Sequence, residues 1–443
     1  MRVRETFATC LVLGSLVVPV RAAFAEEGES AKRGNAVTRW NAVATGVFPT
    51  EPGPILDGRA FAILHAAIHD AVNGVERRYK PYTADLSSPG ASVDAAVAAA
   101  ARDVLVALAP SHAGSVETEY AEALAAIPEG RAKKDGVALG QQAAKANLDR
   151  RAGDGIPVGP WPPQTGPITQ PTYVPTGKPG DYAFTPPFDQ PPLGPIALFP
   201  GWGRLKPFVI DLANHRAPGP DDLASAKYAS DLTHVKSIGR IDSTTRTADQ
   251  TEVAFFWFES LGIWNQIANS VIRQSGADTW RAARILALMS FAVADAEIAV
   301  FEAKYRFRFW RPITAIRRAD EDGNPGTEPD QQWLPLLSTP PEVSPPRFFT
   351  PPIPEYPSAA AIGSAAAAEV LIRTLGDRHS FEATSESAPG ATRRYRSLSQ
   401  AAKETRLSRV YGGIHFVHAI EDGAELGRGI GRSVSRMLPR VAR

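Results

Sequence analysis

The stretch TWRAARILALMSFAVADAEIAVFEAKYRFRF, residues 279–309, decides the fold class of this protein. Apolar residues recur through it at the three- and four-residue spacing of a buried α-helix, and no proline interrupts them. It is the longest helical pattern in the chain. Shorter helical patterns lie on both sides of it, at residues 55–75, 91–108, 116–127, 132–151, 224–235, 248–258, 261–274, 359–375 and 416–437. Strand-like alternation is nearly absent, so the sequence predicts a mainly α fold.

Two proline-rich segments separate the helical regions, at residues 153–200 and 320–357. Their proline and glycine exclude long helices and interior strands. Aromatic side chains in the first segment favour burial, so we expect an ordered loop along the surface and not a flexible linker. These side chains are Trp161, Tyr173, Tyr182, Phe184 and Phe188.

The first 25 residues have the pattern of an export signal. Arg2 and Arg4 form a basic start, residues 6–20 are mostly apolar, and residues 23–25 (AFA) have the small side chains that a signal peptidase reads. The apolar run of about 15 residues is shorter than the roughly 20 of a membrane-spanning helix. Cys10 lies in this signal, so a mature chain has no cysteine for disulfides or metal binding. We therefore predict a soluble bacterial protein, periplasmic or secreted.

The remaining chain, residues 26–443, is predicted to form one all-α domain. Its parts are a helical region at about 55–151, the proline-rich loop at about 153–200 and a second helical half at about 224–443. The net charge is only +1, so no overall field attracts nucleic acid or acidic membranes. Any anion specificity must come from a local cluster.

The first candidate for such a cluster is AKYRFRFWRP, residues 303–312. Lys304 and Arg311 are seven residues apart, close to two helical turns, so both can project from one helix face. Arginine grips two oxygens of an oxyanion and lysine neutralises its charge. A solvated basic face gives the same pattern. Pro312 ends or bends the helix just beyond.

The second candidate is PEYPSAAAIGSAAAAEVL, residues 354–371, which predicts a helix with Ser358 as its N-cap. The N–H groups at a helix N-terminus attract anions, although an ordinary core helix has the same sequence features. The third candidate is SRVYGGIHF, residues 408–416, where Arg409 adds a second guanidinium. His415 can ligate a metal oxyanion or attack phosphorus, or be a buried structural histidine.

The order Lys-x6-Arg-Pro, Pro-Ser, Ser-Arg-x5-His resembles the signature shared by vanadium-dependent haloperoxidases and type 2 phosphatidic acid phosphatases. The stretches HAAIHDAVNGV, STTRTADQTEVAFFW, WNQIAN and FEAKYRFRFWRPITAIR are similar to the bacterial haloperoxidase-like branch of that superfamily. The resemblance implies a helical bundle with long, ordered, proline-rich loops. It also implies that vanadate or phosphate binds at the mouth of the bundle.

The resemblance implies a role for each candidate residue. The groups that would bind the oxygens of vanadate or phosphate are the side chains of Lys304, Arg311, Ser358 and Arg409 and the backbone N–H of Ala359. His415 would be the catalytic residue and the metal ligand, bonded to the vanadium of vanadate; in a phosphatase it would attack phosphorus.

The sequence departs from the family pattern at two positions. Ala360 stands where the family has an acid–base histidine, whose loss costs about 10²–10⁴-fold in rate. Ala419 stands where the family often has an aspartate that orients His415. Glu421, Asp422 or a backbone carbonyl could take over that orienting role.

Other histidines offer weaker signals. His418 is a candidate substitute for the missing acid–base residue, although it lies three residues along a helix from His415. His65 and His69 have the four-residue spacing of a metal pair. Their apolar neighbours favour two core histidines instead.

The leading prediction is a vanadate-dependent peroxidase, weakened by Ala360, that oxidises halide or small substrates with hydrogen peroxide. The alternatives are an acid phosphatase on phosphate monoesters and a non-catalytic phosphate- or vanadate-binding protein. The predicted partners are small molecules: hydrogen peroxide, halide or a phosphate ester. Bundles of this kind commonly pair, so a homodimer is also among the expected assemblies.

Overall fold

The structure, a computed structural model, describes residues 35–49, 56–154, 173–191, 194–339 and 347–441. Within these ranges the chain forms thirteen α-helices and one antiparallel sheet of two strands. The predicted mainly α fold class is therefore confirmed. The predicted export signal lies outside the described residues. None of the described helices is both long and apolar enough to cross a membrane.

The helices are α1 (Ala36–Val47), α2 (Leu56–Val75), α3 (Val93–Leu108), α4 (Ala113–Ala125), α5 (Arg131–Ala152), α6 (Ala226–Ile238), α7 (Ala248–Phe256), α8 (Ser260–Gln274), α9 (Thr279–Phe307), α10 (Pro312–Arg317), α11 (Ala359–Leu375), α12 (Leu398–Tyr411) and α13 (Val417–Val434). The strands are β1 (Phe381–Thr384) and β2 (Thr392–Tyr395), with Phe381 opposite Tyr395.

The 29-residue helix α9 is the element that both halves of the domain share. It packs against α2 from the N-terminal half and against α11 and α13 from the C-terminal half. Its N-cap is Asp278, whose side chain accepts the backbone N–H of Arg281. It ends at Phe307 because Arg308 adopts a left-handed conformation with φ of 55°. The longest helical pattern of the sequence is thus the centre of the fold.

The sequence does not predict four elements that the structure contains. Helices α1, α10 and α12 and the hairpin β1–β2 lie in stretches without a strong apolar period. Helix α12 starts instead from a local cap, in which the side chain of Ser397 accepts the backbone N–H of Gln400. Tertiary packing and capping therefore decide these elements, and α12 carries one of the candidate site residues.

The described part of the first proline-rich segment is ordered by aromatic burial. Tyr173 and Tyr182 are buried, and their rings lie 5.5 Å apart. Phe184 and Phe188 are half-buried, while Trp161 lies outside the described residues. Farther along the chain, residues 208–210 are fixed to α9 because the buried carboxylate of Asp295 accepts all three of their backbone N–H groups. The expectation of an ordered loop is confirmed over residues 173–191.

Small residues let α11 and α13 approach closely. A Cβ atom on Gly427 of α13 would lie 2.2 Å from the carbonyl oxygen of Ile362 on α11. Such a distance is far inside van der Waals contact, so only glycine fits at this crossing. Because both helices lead into the candidate site at their N-termini, this contact also sets the spacing of the site.

We expect Gly427→Ala to destabilise the protein by about 1–3 kcal/mol, because the added methyl group forces the two helices apart. Gly429→Ala is the matched control, since its Cβ would meet only Arg432 Nη2, at 3.8 Å. The control gains helix propensity, so its stability should stay equal or rise by up to about 1 kcal/mol. Urea unfolding of the three proteins measures the difference. Equal stability of the Gly427→Ala protein and the wild type would contradict this packing.

Candidate oxyanion site

Five backbone segments bring the candidate residues together. Lys304 lies in the last turn of α9, and Arg311 is the N-cap of α10. Ser358 is the N-cap of α11, and Arg409 lies in the last turn of α12. His415 lies in the short link between α12 and α13.

The expectation that Lys304 and Arg311 share one helix is wrong. Helix α9 ends between them, and Pro312 is the first residue of a new helix, not the end of the old one. The two side chains nevertheless meet at the same backbone segment. Lys304 Nζ donates to the carbonyls of Pro354 and Glu355, each at 2.8 Å. Arg311 Nε donates to the neighbouring carbonyl of Ile353 at 2.9 Å.

Arg311 also links this segment to His415. Its Nη1 lies 2.9 Å from the carbonyl oxygen of Ile414 and 3.1 Å from His415 Nε2. Its other terminal nitrogen, Nη2, is buried and has no hydrogen-bond partner. A buried N–H group without a partner costs free energy, so this atom marks a place where an acceptor is needed.

Arg409 is held in the same way by backbone oxygens. Its Nη2 donates to the carbonyl of Trp257, and its Nη1 lies 3.5 Å from the carbonyl of Phe258. Its Nε donates to the hydroxyl of Ser408 at 3.0 Å. The guanidinium is therefore fixed in position, although no carboxylate of the described chain forms an ion pair with it.

Ser358 and the first turn of α11 supply further donors. The hydroxyl of Ser358 is fully buried and has no hydrogen-bond partner, and it does not cap its own helix. The first N–H groups of a helix, here from Ala359 onward, have no acceptor within the helix. The N-terminus is tied in place, since the Ser358 N–H donates to the carbonyl of Ala419 at 3.1 Å.

Glu355 is the site residue that the sequence analysis missed. Its Oε1 lies 2.8 Å from His415 Nδ1 and accepts the backbone N–H of Phe416 at 3.0 Å. The side chain is fully buried, and burial raises its pKa despite the nearby positive charges of His418, Lys304 and Arg311. The only sequence signal was a single acid in a proline-rich stretch, three residues before Ser358.

The hydrogen bonds assign a tautomer to His415. Nδ1 faces a carboxylate and therefore carries the proton, whereas Nε2 faces the N–H of Arg311 and therefore presents its lone pair. Burial lowers the pKa of His415 well below its usual value, and the charges of Arg311, Lys304 and Arg409 lower it further. The ring is thus neutral at neutral pH, and its Nε2 lone pair, which accepts from Arg311 Nη1 here, is the atom that could act as a ligand or nucleophile.

The cluster concentrates positive charge. Lys304, Arg311 and Arg409 are buried, and among the described residues none of them forms an ion pair within 4.0 Å. Burial lowers the pKa of Lys304 well below its usual range, that of Arg311 to about 10 and that of Arg409 to about 9. Both guanidinium groups stay charged at neutral pH. An anion placed among these groups would satisfy the free donors and offset the charge.

The acids expected to orient His415 have other partners. Glu421 forms an ion pair with Arg406 at 3.0 Å. Asp422 accepts the hydroxyl of Tyr356 at 2.6 Å. Glu355 therefore takes the orienting role, because the bundle places it against the ring from a different segment of the chain.

His418, the candidate substitute for the missing acid–base histidine, is paired with an acid. Its Nδ1 lies 2.8 Å from Asp231 Oδ2, and Asp231 also accepts the backbone N–H groups of Val417 and His418. A carboxylate from α6 thus caps the N-terminus of α13. Asp221 lies 3.5 Å from the same ring nitrogen, and these three side chains could together hold a metal ion. The hydrogen bond to His418 and the two backbone N–H groups already occupy Asp231, so we interpret the group as an ion pair.

His65 and His69 are core residues, as their apolar neighbours predict. His65 Nε2 contacts the Asn41 side chain at 2.9 Å, and burial lowers the pKa of His65 to about 3. His69 Nε2 contacts the carbonyl of Lys80 at 3.0 Å. The metal-capable group found among the described residues does not include either histidine.

Comparison with known proteins now adds to this geometry. Residues 284–443 match the model of the VCPO second helical-bundle domain. The chain is 26% identical over 391 residues to vanadium chloroperoxidase from Curvularia inaequalis, a match that covers 74% of this chain and 62% of that protein.

The chain is similar to vanadium haloperoxidases.

Two solved structures agree with the fold described above. The crystal structure of the first bacterial vanadium-dependent iodoperoxidase has a TM-score of 0.72 at 26% identity, covering 94% of this chain and 97% of that one. The holo form of a bacterial vanadium-dependent chloroperoxidase has a TM-score of 0.65 at 18% identity, covering 86% and 91%. The second likeness concerns the fold alone.

The ion pair of His418 predicts a pH dependence of stability. Burial alone would lower the pKa of His418, but its hydrogen bond to Asp231 and the charges of Glu355, Asp231 and Asp221 outweigh burial and raise it above 6.5. The folded protein therefore binds this proton more tightly than the unfolded chain does. The resulting stabilisation is complete below pH 6.5 and is lost as the pH rises through the folded-state pKa.

We expect the stability advantage of the wild type over His418→Gln to shrink between about pH 6 and about pH 8, because the contribution of His418 is lost as the pH rises through its folded-state pKa. His65→Gln is the comparison of opposite sign, because the pKa of His65 is lowered to about 3 in the folded protein and the unfolded chain binds this proton more tightly. The advantage of the wild type over His65→Gln should therefore grow over the same pH range. Urea unfolding at the two pH values measures both differences, and a constant advantage over His418→Gln would contradict the protonated ion pair.

Proposed function

We propose that this chain is a vanadate-dependent peroxidase that oxidises a halide with hydrogen peroxide. Lys304, Arg311 and Arg409 would bind the oxygens of vanadate together with the first turn of α11, and His415 Nε2 would be the protein ligand to vanadium. The observation that carries the proposal is the pair of buried donors without partners, Arg311 Nη2 and Ser358 Oγ, inside a cluster of buried cations.

The donor set fits a tetrahedral oxyanion. Such an anion carries its negative charge on several acceptor oxygens that point in different directions. A halide or a carboxylate has fewer acceptor positions and cannot meet donors from so many directions. Lys304 uses two of its three N–H groups on backbone carbonyls and keeps one for a ligand. The free donors at Arg311 and Ser358 and the first N–H groups of α11 would complete the binding of the remaining oxygens.

Bound vanadate would supply Lewis acidity toward hydrogen peroxide. The protein residues would orient the bound vanadate and offset its negative charge. Glu355 holds the proton of His415 on Nδ1, which keeps the Nε2 lone pair available toward the ligand. The buried guanidinium groups, already fixed by backbone carbonyls, would need no reorganisation when charge develops.

Ala360 favours oxidation over phosphate-ester hydrolysis. It is the second residue of α11 and is half-buried, and its methyl group can neither donate nor accept a proton. A phosphatase needs an acid to protonate the leaving alkoxide, whereas the Lewis acidity that vanadate would supply toward hydrogen peroxide lowers the need for a base. The similarity to an iodoperoxidase and to chloroperoxidases supports the same choice and suggests iodide as the first halide to test.

Calorimetric titration of the purified protein with orthovanadate tests the site. We expect the wild type to bind orthovanadate with micromolar or tighter affinity. The affinity should fall at least about tenfold in Lys304→Met or Arg409→Met, because each variant removes one positive charge from the site. Arg306→Gln is the control: Arg306 lies two residues from Lys304 but forms an exposed ion pair with Glu302 at 3.2 Å. The control should bind like wild type. Unchanged affinity in both cage variants would overturn the proposed site.

Activity assays then separate the candidate functions. Triiodide formation that requires both vanadate and hydrogen peroxide supports the peroxidase. Phosphate release from a monoester, inhibited by vanadate, would indicate the phosphatase instead. Tight vanadate binding with neither activity would indicate a non-catalytic binding protein.

Ala360→His is expected to raise peroxidase turnover. A positioned acid–base group contributes about 10²–10⁴-fold, so a gain of at least about tenfold should appear at saturating peroxide. Ala360→Asn is the matched control, since it has similar polarity and no titratable group. The kcat values of the three proteins for iodide oxidation measure the effect. No gain from histidine over asparagine would show that this position no longer serves proton transfer.

A further inference from the structure

A cavity lined with arginines lies at the end of the bundle opposite the oxyanion site. We call it the arginine cavity, and its volume is about 310 Å³. Four guanidinium groups line it, from Arg281, Arg284, Arg373 and Arg440, together with the ring of Tyr79. None of the described residues that line this cavity is an acid. Such walls attract a negatively charged ligand.

The length of α9 separates the arginine cavity from the oxyanion site. Arg281 and Arg284 lie in the first two turns of α9, whereas Lys304 lies in its last turn. Arg284 and Lys304 are 20 residues apart in this continuous helix, so their Cα atoms are roughly 30 Å apart. Arg373 lies in the last turn of α11, whose N-cap Ser358 belongs to the oxyanion site. The two sites are therefore at opposite ends of the same helices.

Backbone carbonyls hold two of the four guanidinium groups in place. Arg281 Nη2 donates to the carbonyl of Thr374 at 2.9 Å, near the end of α11. Arg284 Nε donates to the carbonyl of Leu438 at 2.7 Å, and its Nη2 lies 3.2 Å from the carbonyl of Met437. Capping of helix C-termini accounts for these nitrogens. The Nη1 groups of both arginines form no hydrogen bond within the described part of the chain, so each arginine keeps donors for a ligand.

The buried ring of Tyr79 is shared by two of the arginines. Its centroid lies 5.4 Å from Arg284 Cζ and 5.8 Å from Arg440 Cζ. The backbone of Tyr79 also pairs with that of Arg440 in an isolated bridge, which fixes the C-terminal segment against the residues after α2. Burial lowers the pKa of Arg284, and the positive charges of Arg440 and Arg281 act in the same direction. These three like charges are therefore held close together by the fold.

The arginine cavity keeps about two positive charges that nothing nearby offsets. Arg373 is neutralised, because its Nε lies 2.7 Å from Glu369 Oε1. Helices α11 and α13 end beside the cavity, and two helix C-termini together supply about one negative charge. The three other arginines form no ion pair within 4.0 Å with an acid of the described chain. A doubly charged anion would therefore balance the cavity.

We propose that the arginine cavity binds a doubly charged phosphate group, either as inorganic phosphate or as the head of a phosphate monoester. Guanidinium groups bind phosphate oxygens through paired N–H donors, and three arginines with free donors line the cavity. Bound phosphate would link the start of α9, the end of α11 and the segment 435–440. The cavity shares no residue with the oxyanion site, so this binding is independent of the proposed peroxidase function.

Calorimetric titration of the full-length protein with inorganic phosphate tests the arginine cavity. The Lys304→Met protein is the background, because its oxyanion site is weakened. In about 0.15 M NaCl, which screens exposed charges, we expect saturable submillimolar binding. Arg281→Gln combined with Arg440→Gln should raise the dissociation constant at least about tenfold, since two guanidinium groups are lost. Arg284 is left intact because its bonds to residues 437 and 438 hold the segment after α13 in place.

The control is Arg428→Gln combined with Arg432→Gln in the same background, which removes the same charge from α13. Arg428 and Arg432 pair with Glu425 at 2.6 and 3.4 Å, outside the cavity. The control should bind phosphate like the background protein. Equal affinity of the two double variants would overturn the proposal, because the cavity arginines would then contribute nothing specific. Absence of saturable binding in NaCl would also overturn it and indicate an adventitious ion only.

A parallel titration with glycerol 3-phosphate identifies the source of the phosphate group. Tighter binding of this ester than of inorganic phosphate, lost in the Arg281→Gln and Arg440→Gln double variant, supports a phosphate monoester as the ligand. Equal or weaker binding of the ester supports inorganic phosphate. Either result stands whether or not vanadate binding and iodide oxidation are found, because the Lys304→Met background removes the oxyanion site from the comparison.

Discussion

The structure depends on burying three basic side chains close together, with one buried acid, Glu355, near them and no carboxylate of the described residues within 4.0 Å of their nitrogens. Each is held by backbone carbonyls: Pro354 and Glu355 for Lys304, Ile353 and Ile414 for Arg311, Trp257 and Phe258 for Arg409. Carbonyls inside a helix are already bonded, so they cannot serve this purpose. All six acceptors therefore lie where the chain is not helical. The breaks between helices and the proline-rich stretch before α11 follow from this requirement.

Helix N-termini supply hydrogen-bond donors to the site, whereas backbone carbonyls can only accept. The N-terminus of α11 presents N–H groups to the site, and the buried Ser358 hydroxyl lies beside them. The N-terminus of α13 is neutralised separately by Asp231, which accepts its first two N–H groups. One helix dipole thus stays available to an anion and the other is occupied by a carboxylate from within the protein. Close packing of α11 on α13 at Gly427 keeps the two termini at a fixed distance.

Ala360 marks where this chain departs from the signature that it resembles. The cations, the serine and the histidine of that signature are present, and Glu355 fixes the tautomer of the histidine. Ala360 and Ala419 stand where the signature has an acid–base histidine and often an aspartate. If the proposed function holds, such a site would bind and polarise an oxyanion and depend on its ligand for acidity.

The sequence by itself determined the mainly α class and the central helix α9, and it named Lys304, Arg311, Ser358, Arg409 and His415 as candidates, because apolar periodicity and motif order are local properties. It placed Lys304 and Arg311 on one helix, whereas a left-handed residue at Arg308 ends that helix between them. It did not find Glu355, helix α12 or the pairing of His418 with Asp231. The contact of Glu355 with His415 joins residues 60 positions apart and that of Asp231 with His418 joins residues 187 positions apart, and only the packed bundle brings such residues together.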